Sequence, residues 1–194
     1  MTIQELTALI NTKVTSYREY RLKYANIVLE QPYLFESLLQ IAFDETNKAS
    51  IRASWVLDFV LQENLALIYP HLYKFTTHIS SVKHDSIVRP MAKICENLAY
   101  KYTSKNASEI KKHLTIKHID KIIETGFDWL ITPQKIAVRA YTMQTLYLFG
   151  IKKDWVHPEL SHIISTKIIH ESKGCKARGT KILKSIEKHR KRTS

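Results

Sequence analysis

An all-α chain, wound as a right-handed α-α superhelix of about four helix pairs preceded by two N-terminal helices, is the fold this sequence predicts. Three observations predict it. An arginine followed by a compact residue recurs as Arg52-Ala53, Arg89-Pro90, Arg139-Ala140 and Arg178-Gly179, each after an apolar residue and near the start of a helical pattern. The separations are 37 residues from Arg52 to Arg89, 50 to Arg139 and 39 to Arg178, near the roughly 40–47 of stacked helix-pair repeats. The chain has only 4 glycines and 5 prolines in 194 residues, too few for an all-β protein with a turn every ten residues or so. No segment alternates apolar and polar residues for long, so no strand is expected.

The elements follow in order. Thr2 and Glu5 form a capping box that opens a first helix over about 2–11. A second is expected over 16–29. Pro32 suits the first position of a third, over 32–44. Asn47 caps a fourth that ends near residue 64, and a fifth over 65–79 should kink at Pro70. The sixth, over 85–103, carries Ile87, Met91, Ile94, Cys95, Leu98 and Tyr102 along one stripe. A polar connection (104–112) leads to a seventh opened by Thr115. Its Ile119, Ile122, Ile123, Phe127 and Leu130 give the clearest helical period in the chain. Thr132-Pro133 starts an eighth ending at Gly150, Pro158 a ninth, and a tenth runs from about Lys173 into the basic tail. From the third helix on they pair three with four, five with six, seven with eight and nine with ten, as short connections favour. The expected organisation is one domain over 1–194: N-terminal capping helices over 1–30, helical repeats over 31–188, and a basic tail over 189–194, its run expected to fray.

Composition narrows the function classes. The chain is long enough for a sizeable core without metal or disulfide support. Cys95 and Cys175 are 80 residues apart with no CxxC, and are expected as reduced thiols. The longest apolar runs are short and interrupted by charge, and the N-terminus lacks a secretion-signal pattern, so a cytoplasmic location is expected. The nine histidines are scattered without HExxH or a cysteine-histidine cluster, and neither GxxxxGK[ST] nor GxGxxG occurs. No cofactor, metal or catalytic constellation is therefore expected.

Charge gives the stronger clue. The net charge is +12, and residues 151–194, with twelve basic and four acidic side chains, hold +8 of it. On the tenth helix Ile182, Leu183 and Ile186 define an inward face. Lys173, Lys181, Lys184, Lys188 and Lys191 project opposite it, extended by His189, Arg190 and Arg192. Such a stripe either follows a phosphate backbone or is the solvated outer face that a terminal repeat needs. Arg52 and Arg139 fall within the apolar arcs of their helices, where a charge must be paired or sit at the rim. Arg178 sits at the edge of its arc, and Arg89 projects opposite its stripe. A structural role for these arginines is expected over a line of guanidinium forks along a groove.

Leu67-Ile68-Tyr69-Pro70-His71-Leu72 resembles the first-helix pattern of HEAT repeats, and Ile51-Arg52-Ala53 through Leu57 and Val138-Arg139-Ala140 resemble the second. The resemblance to the HEAT/armadillo class covers about 155 residues. More narrowly, four segments resemble a family of short bacterial all-helical proteins of uncharacterised function. They are Arg52-Ala53-Ser54-Trp55-Val56-Leu57, Arg89-Pro90-Met91-Ala92-Lys93-Ile94-Cys95-Glu96, Phe127-Asp128-Trp129 and Asp154-Trp155-Val156-His157-Pro158-Glu159-Leu160. Members of that family often carry the name adenylosuccinate lyase. The Ser-Ser-x-Met-Pro-x-Lys-x-Asn loop in which such lyases resemble one another is absent here. Trp55 and Asp58, i and i+3 on one helix, together with Asp128-Trp129, Trp155 and the positive charge, are loosely similar to the aromatic and acidic residues of HEAT-like alkylpurine DNA glycosylases. The plain reading of the pair is Trp55 in the core and Asp58 as a surface or arginine-pairing carboxylate.

The expected function is a non-catalytic HEAT-like interaction module that binds a protein or another acidic partner. Nucleic-acid binding, with a resemblance to those glycosylases, is the alternative, and a lyase role comes last. The candidate binding residues are Arg52, Trp55, Asp58, Arg139, Arg178, Lys181, Lys184 and Lys188.

Overall fold

The computed structural model describes residues 1–193, which are helical and contain no strand. The helices are α1 (Ile3–Lys13), α2 (Arg18–Glu30), α3 (Phe35–Phe43), α4 (Ser50–Glu63), α5 (Leu72–His78), α6 (Asp85–Thr103), α7 (Ser108–His113), α8 (Ile116–Ile131), α9 (Ile136–Gly150), α10 (Val156–Ile163), α11 (Ile169–Glu171) and α12 (Lys173–Thr193).

Local chemistry explains the boundaries, including those that differ from expectation. The Thr2–Glu5 box closes reciprocally, Glu5 N–H donating to Thr2 Oγ1 (3.2 Å) and Thr2 N–H to the Glu5 carboxylate (2.8 Å). Asn47 does not cap α4. Its side chain accepts from the Ala49 N–H two residues on (2.9 Å), a local turn that delays the helix to Ser50. The single kinked helix expected over 65–79 is two pieces, a 3₁₀ segment Leu65–His71 and then α5. Pro70 lacks an N–H and its ring crowds the preceding turn, so the α-ladder starts only beyond it. The connection expected over 104–112 is instead largely taken up by the short α7, which runs on to His113 and is held by its one buried side chain, Ile110. Thr115 caps α8, and the His118 ring accepts the Thr115 N–H where a capping box usually has glutamate (3.2 Å). The ninth helix begins at Val156, with Pro158 in its first turn, and passes through a π-helical turn, Ile164–Ile168, into α11. The basic run at the C-terminus continues α12 to Thr193, aided by an i, i+4 pair of Glu187 and Lys191 (2.6 Å).

Helices α2, α4, α6, α9 and α12 each pack on the next, giving one continuous layer. Behind it, α3 lies on α4, α5 on α8, and α8 and α10 on α9. Their apolar faces merge into a single core running from Leu6 to Ile182. Helix α9 touches α6, α8, α10 and α12, and is buried on most of its circumference, down to Thr142, Gln144 and Thr145. A helix enclosed on so many sides has little amphipathic contrast.

Two of the repeat arginines hold the layers together. Arg139, 3% exposed at its side chain, donates to the Trp129 and Leu130 carbonyls in the last turn of α8 and pairs with Glu171 (2.7 Å). It thereby satisfies acceptors that a helix C-terminus leaves open. Arg52 donates to the Val14 carbonyl (3.0 Å) and to Asn11 (3.3 Å), tying the end of α1 to α4. Gly150 admits a close approach: a Cβ there would lie 2.4 Å from Cδ2 of His157. That ring is stacked on Tyr147, with centroids 5.4 Å apart, and bonded to the Tyr147 carbonyl (2.8 Å), so it has nowhere to yield. Among the described residues no helix is long and apolar enough to cross a membrane.

Removing Arg139 takes the charged donor from two buried carbonyls and from the Glu171 carboxylate, which keeps the long contact from Cys175 Sγ (3.9 Å). Arg139→Ala is expected to lower the unfolding free energy by about 3 kcal/mol in urea titration. Gly150→Ala overpacks the α9–α10 corner and is expected to cost about 1–3 kcal/mol in the same measurement.

Candidate functional site

The layer α2–α4–α6–α9–α12 carries a polar belt across its helices. Each helix contributes because its polar rim positions recur at helical spacing. Arg18 and Arg21 are i, i+3 on α2; Trp55, Asp58, Phe59 and Gln62 lie at i, i+3, i+4 and i+7 on α4; Arg89, Lys93 and Glu96 lie at i, i+4 and i+7 on α6. Tyr141 and Gln144 follow on α9 and Arg178 on α12. Helices packed about 8–10 Å apart make such a belt roughly 30–40 Å long.

The belt is knit by contacts between neighbouring helices. Arg18 lies over the Phe59 ring (5.0 Å to its centroid) and Arg21 over the Trp55 ring (4.5 Å). Lys93 lies over the Tyr141 ring (4.8 Å) and pairs with Glu96 (2.7 Å). Glu96 is almost fully buried, 4% exposed at its side chain, and accepts from Arg178 as well (3.2 Å). Arg178 also donates to the Gln144 side chain (3.3 Å). One carboxylate from α6 thus holds a cation of its own helix and one from α12, spanning α9.

At the α2–α4–α6 end the belt opens into a depression of about 370 Å³, lined by Ser16, Arg18, Arg21, Asp58, Arg89 and Lys93 among others. Asp58 is its only carboxylate among the described residues. Its Oδ1 is shut off from solvent and has no hydrogen-bond partner, and Nε of Arg21 is in the same condition. Burial pushes the Asp58 carboxyl above its ordinary range, against the opposing pull of Gln62, Arg89, Lys93 and Arg21. Burial, and then the neighbouring Arg89, push the Arg21 guanidinium down, while Asp58 works the other way. The cations here exceed the carboxylates and include dehydrated atoms, an arrangement that gains from an incoming anion with acceptor oxygens.

The structure brings some of the sequence-predicted residues together and separates others. Trp55 and Asp58 do share a face, since Arg21 lies against both, and Trp55 is half-buried instead of sealed in the core. Arg178 enters the belt. Lys181, Lys188 and Arg192 follow Arg178 at i+3, i+10 and i+14, within an arc of about 80° at 100° per residue, so they prolong the belt along α12. Lys184 stands about 120° round from Arg178 and faces away from it. Arg52 borders a neighbouring depression with Trp55, its donors engaged by α1. Arg139 is apart, buried at the end of α8. Trp129 is core, and Trp155 (55% exposed) packs on Phe127 of α8 (5.5 Å), in the second layer and not beside Asp58. Arg18, Arg21, Lys93, Glu96, Tyr141 and Gln144 were not singled out by sequence. Their signal was present as i, i+3, i+4 and i+7 spacings at the rims of α2 and of the second helices of the pairs. Among the described residues no group of three or more His, Cys, Asp or Glu is placed to hold a metal ion. Cys95 and Cys175 are free and buried, and burial pushes the Cys95 thiol far up.

A raised folded-state pKa means that Asp58 favours the folded state fully below its ordinary value of 3.8 and loses that contribution as pH rises through the folded value. Asp58→Asn removes the dehydrated charge. The variant is expected to melt above wild type at pH about 7, with the gap closing as pH falls toward about 4. Thermal melts at the two pH values check this, and an Asp58→Asn protein less stable at neutral pH would overturn it. Compared with known protein families, with curated proteins and with solved structures, the chain matches none.

Proposed function

We propose that this chain is a non-catalytic HEAT-like interaction module, wound as a right-handed superhelix, that takes a nucleic-acid strand along the belt. The helix pairs α3–α4, α8–α9 and α10/α11–α12, with α5 leading into α6, support the repeat reading. Their second members are the helices that stack one on the next. Such arrays offer extended surfaces and put function in the residues they display.

One observation carries the choice of partner: the belt crosses five successive helices and is net cationic, its cations standing on α2, α6 and α12. Arg18, Arg21, Arg89, Lys93 and Arg178 stand against Asp58 and Glu96, and Lys181, Lys188 and Arg192 continue the line. A line of cations matches a partner whose charges are themselves in a line. Sequence alone favoured a protein partner. That remains the second reading, supported by Asp58, which gives the belt an anionic point that a phosphate backbone does not use. Chemistry of the glycosylase type is not part of the proposal, since Trp129 and Trp155 lie away from Asp58. No residue supports a lyase. A cytoplasmic location belongs to the same proposal.

Fluorescence anisotropy with labelled single-stranded and duplex DNA, from about 50 to about 300 mM salt, tests it. Binding is expected in the micromolar range or tighter at about 150 mM, falling steeply with salt. Arg89→Ala and Lys188→Ala are each expected to reduce the log–log salt slope by about 1. Asp58→Asn is expected to bind more tightly, by removing the one carboxylate from the depression. Absence of binding at 150 mM, or binding indifferent to all three changes, would turn the search to protein partners.

A further inference from the structure

A second concavity lies at the other end of the helices that carry the belt. It is bounded by Tyr102 at the C-terminal end of α6, Leu148 and Phe149 at the end of α9, Ile116 and Ile119 at the start of α8, and Ile151 in the following turn. Its volume is about 520 Å³, within the usual range of small-molecule sites. It is larger and more enclosed than the depression around Asp58. The lining just named is aliphatic and aromatic, while the remaining contributors, Thr103, Lys111, Lys152 and Lys153, are polar, and three of those four are lysines.

The lysines differ in how they are engaged. Lys153 is neutralised by Asp120 (2.5 Å). Lys111 rests over the Tyr102 ring, 5.7 Å from its centroid, so its charge stays at the cavity wall. Lys152 is exposed in the turn after α9 and makes no ion pair among the described residues. Among the described residues no carboxylate lines the cavity. Ile116, the first residue of α8, is 66% exposed, and it brings the positive end of that helix to the same rim. An exposed isoleucine at the mouth of an apolar cavity with two uncompensated ammonium groups specifies its occupant by complementarity. The occupant has an apolar body to fill the interior and a single anionic head to stay at the rim.

We propose that this cavity is a binding site for a monoanionic amphiphile, a carboxylate on a medium-length aliphatic body, with its head at Lys111 and Lys152. The apolar body supplies affinity by leaving water, and the lysines fix its orientation. The site is independent of the belt, which uses Arg89, Lys93 and Glu96 of α6 and Tyr141 and Gln144 of α9, toward the other ends of those helices.

The test is titration of the full chain with decanoate, below its micelle concentration, followed by calorimetry and by amide shifts in nitrogen-15 spectra. Saturable binding is expected, with shifts centred on Ile116, Ile119, Leu148 and Phe149. Lys111→Ala with Lys152→Ala is expected to weaken it about tenfold, as two partly exposed charge contacts imply. Ile116→Glu, a change at an exposed position that puts a negative charge on the rim, is expected to abolish it without loss of fold. Lys93→Ala, on the belt, is expected to leave it unchanged. Three results would overturn the proposal: no saturable binding of decanoate, 1-decanol binding as tightly as decanoate, or shifts centred on α2 and α4 instead of the cavity.

Discussion

The packing of α6 against α9 is the contact on which the rest of the structure turns. Helix α6 also carries α4, and α9 also carries α8, α10 and α12, so the two layers meet through this pair. The sequence supplies what the contact needs. Val88, Met91, Ala92, Cys95, Leu98 and Ala99 of α6 and Val138, Thr142, Met143, Leu146 and Phe149 of α9 are buried, with small residues interspersed among large ones so that ridges and grooves can engage. A helix as enclosed as α9 gives little of its surface to solvent. Arg139, Gln144 and Thr145 bond within the protein, while Oγ1 of Thr142 is buried without a partner among the described residues.

The arginines of the repeat steps divide according to that constraint. Arg139 and Arg52 point where backbone acceptors of another helix are open, and each closes a helix end. Arg178 and Arg89 point along the solvent edge of the layer. There Glu96 engages Arg178, while Arg89 stands beside Asp58, whose Oδ1 accepts no hydrogen bond. A single sequence feature thus serves two physical ends. The difference lies in whether a carbonyl or open solvent faces the guanidinium, which no sequence position records.

Much of the architecture was legible because helix periodicity and capping are local. The Thr2–Glu5 box, the span of α6 and the stripe of α8 all follow from residues within a few positions of one another. The break at Pro70 and the late start of α4 were less so. The proline was visible, but whether it kinks or divides a helix depends on what its neighbours pack against. Asn47 had a choice of backbone donors that only the turn resolved. The candidate site was legible in fragments. Trp55 with Asp58, and the lysines of α12, could be seen as pairs and stripes on single helices. The link from Arg21 to Asp58, or from Glu96 to Arg178 at 82 residues' separation, depends on which helices become neighbours. The concavity behind Ile116 was invisible for the same reason, since it is bounded by four helices and a turn.

The two concavities share helices and differ in dielectric setting, and that difference decides what each suits. The belt is long and shallow, and lies along the solvent edge of its layer. Charges there act additively, over distances that salt screens, so their effect grows with the number of anionic groups a partner presents in line. An isolated carboxylate gains little from such a surface. The cavity behind Ile116 has few charges and a mostly apolar wall, so affinity there comes from area removed from water, and the lysines act on a head group held at short range. A polyanion has no apolar body to place in it. Raising the salt concentration therefore separates the two by physics alone, weakening contacts along the belt while leaving the hydrophobic contribution in the cavity intact or strengthened.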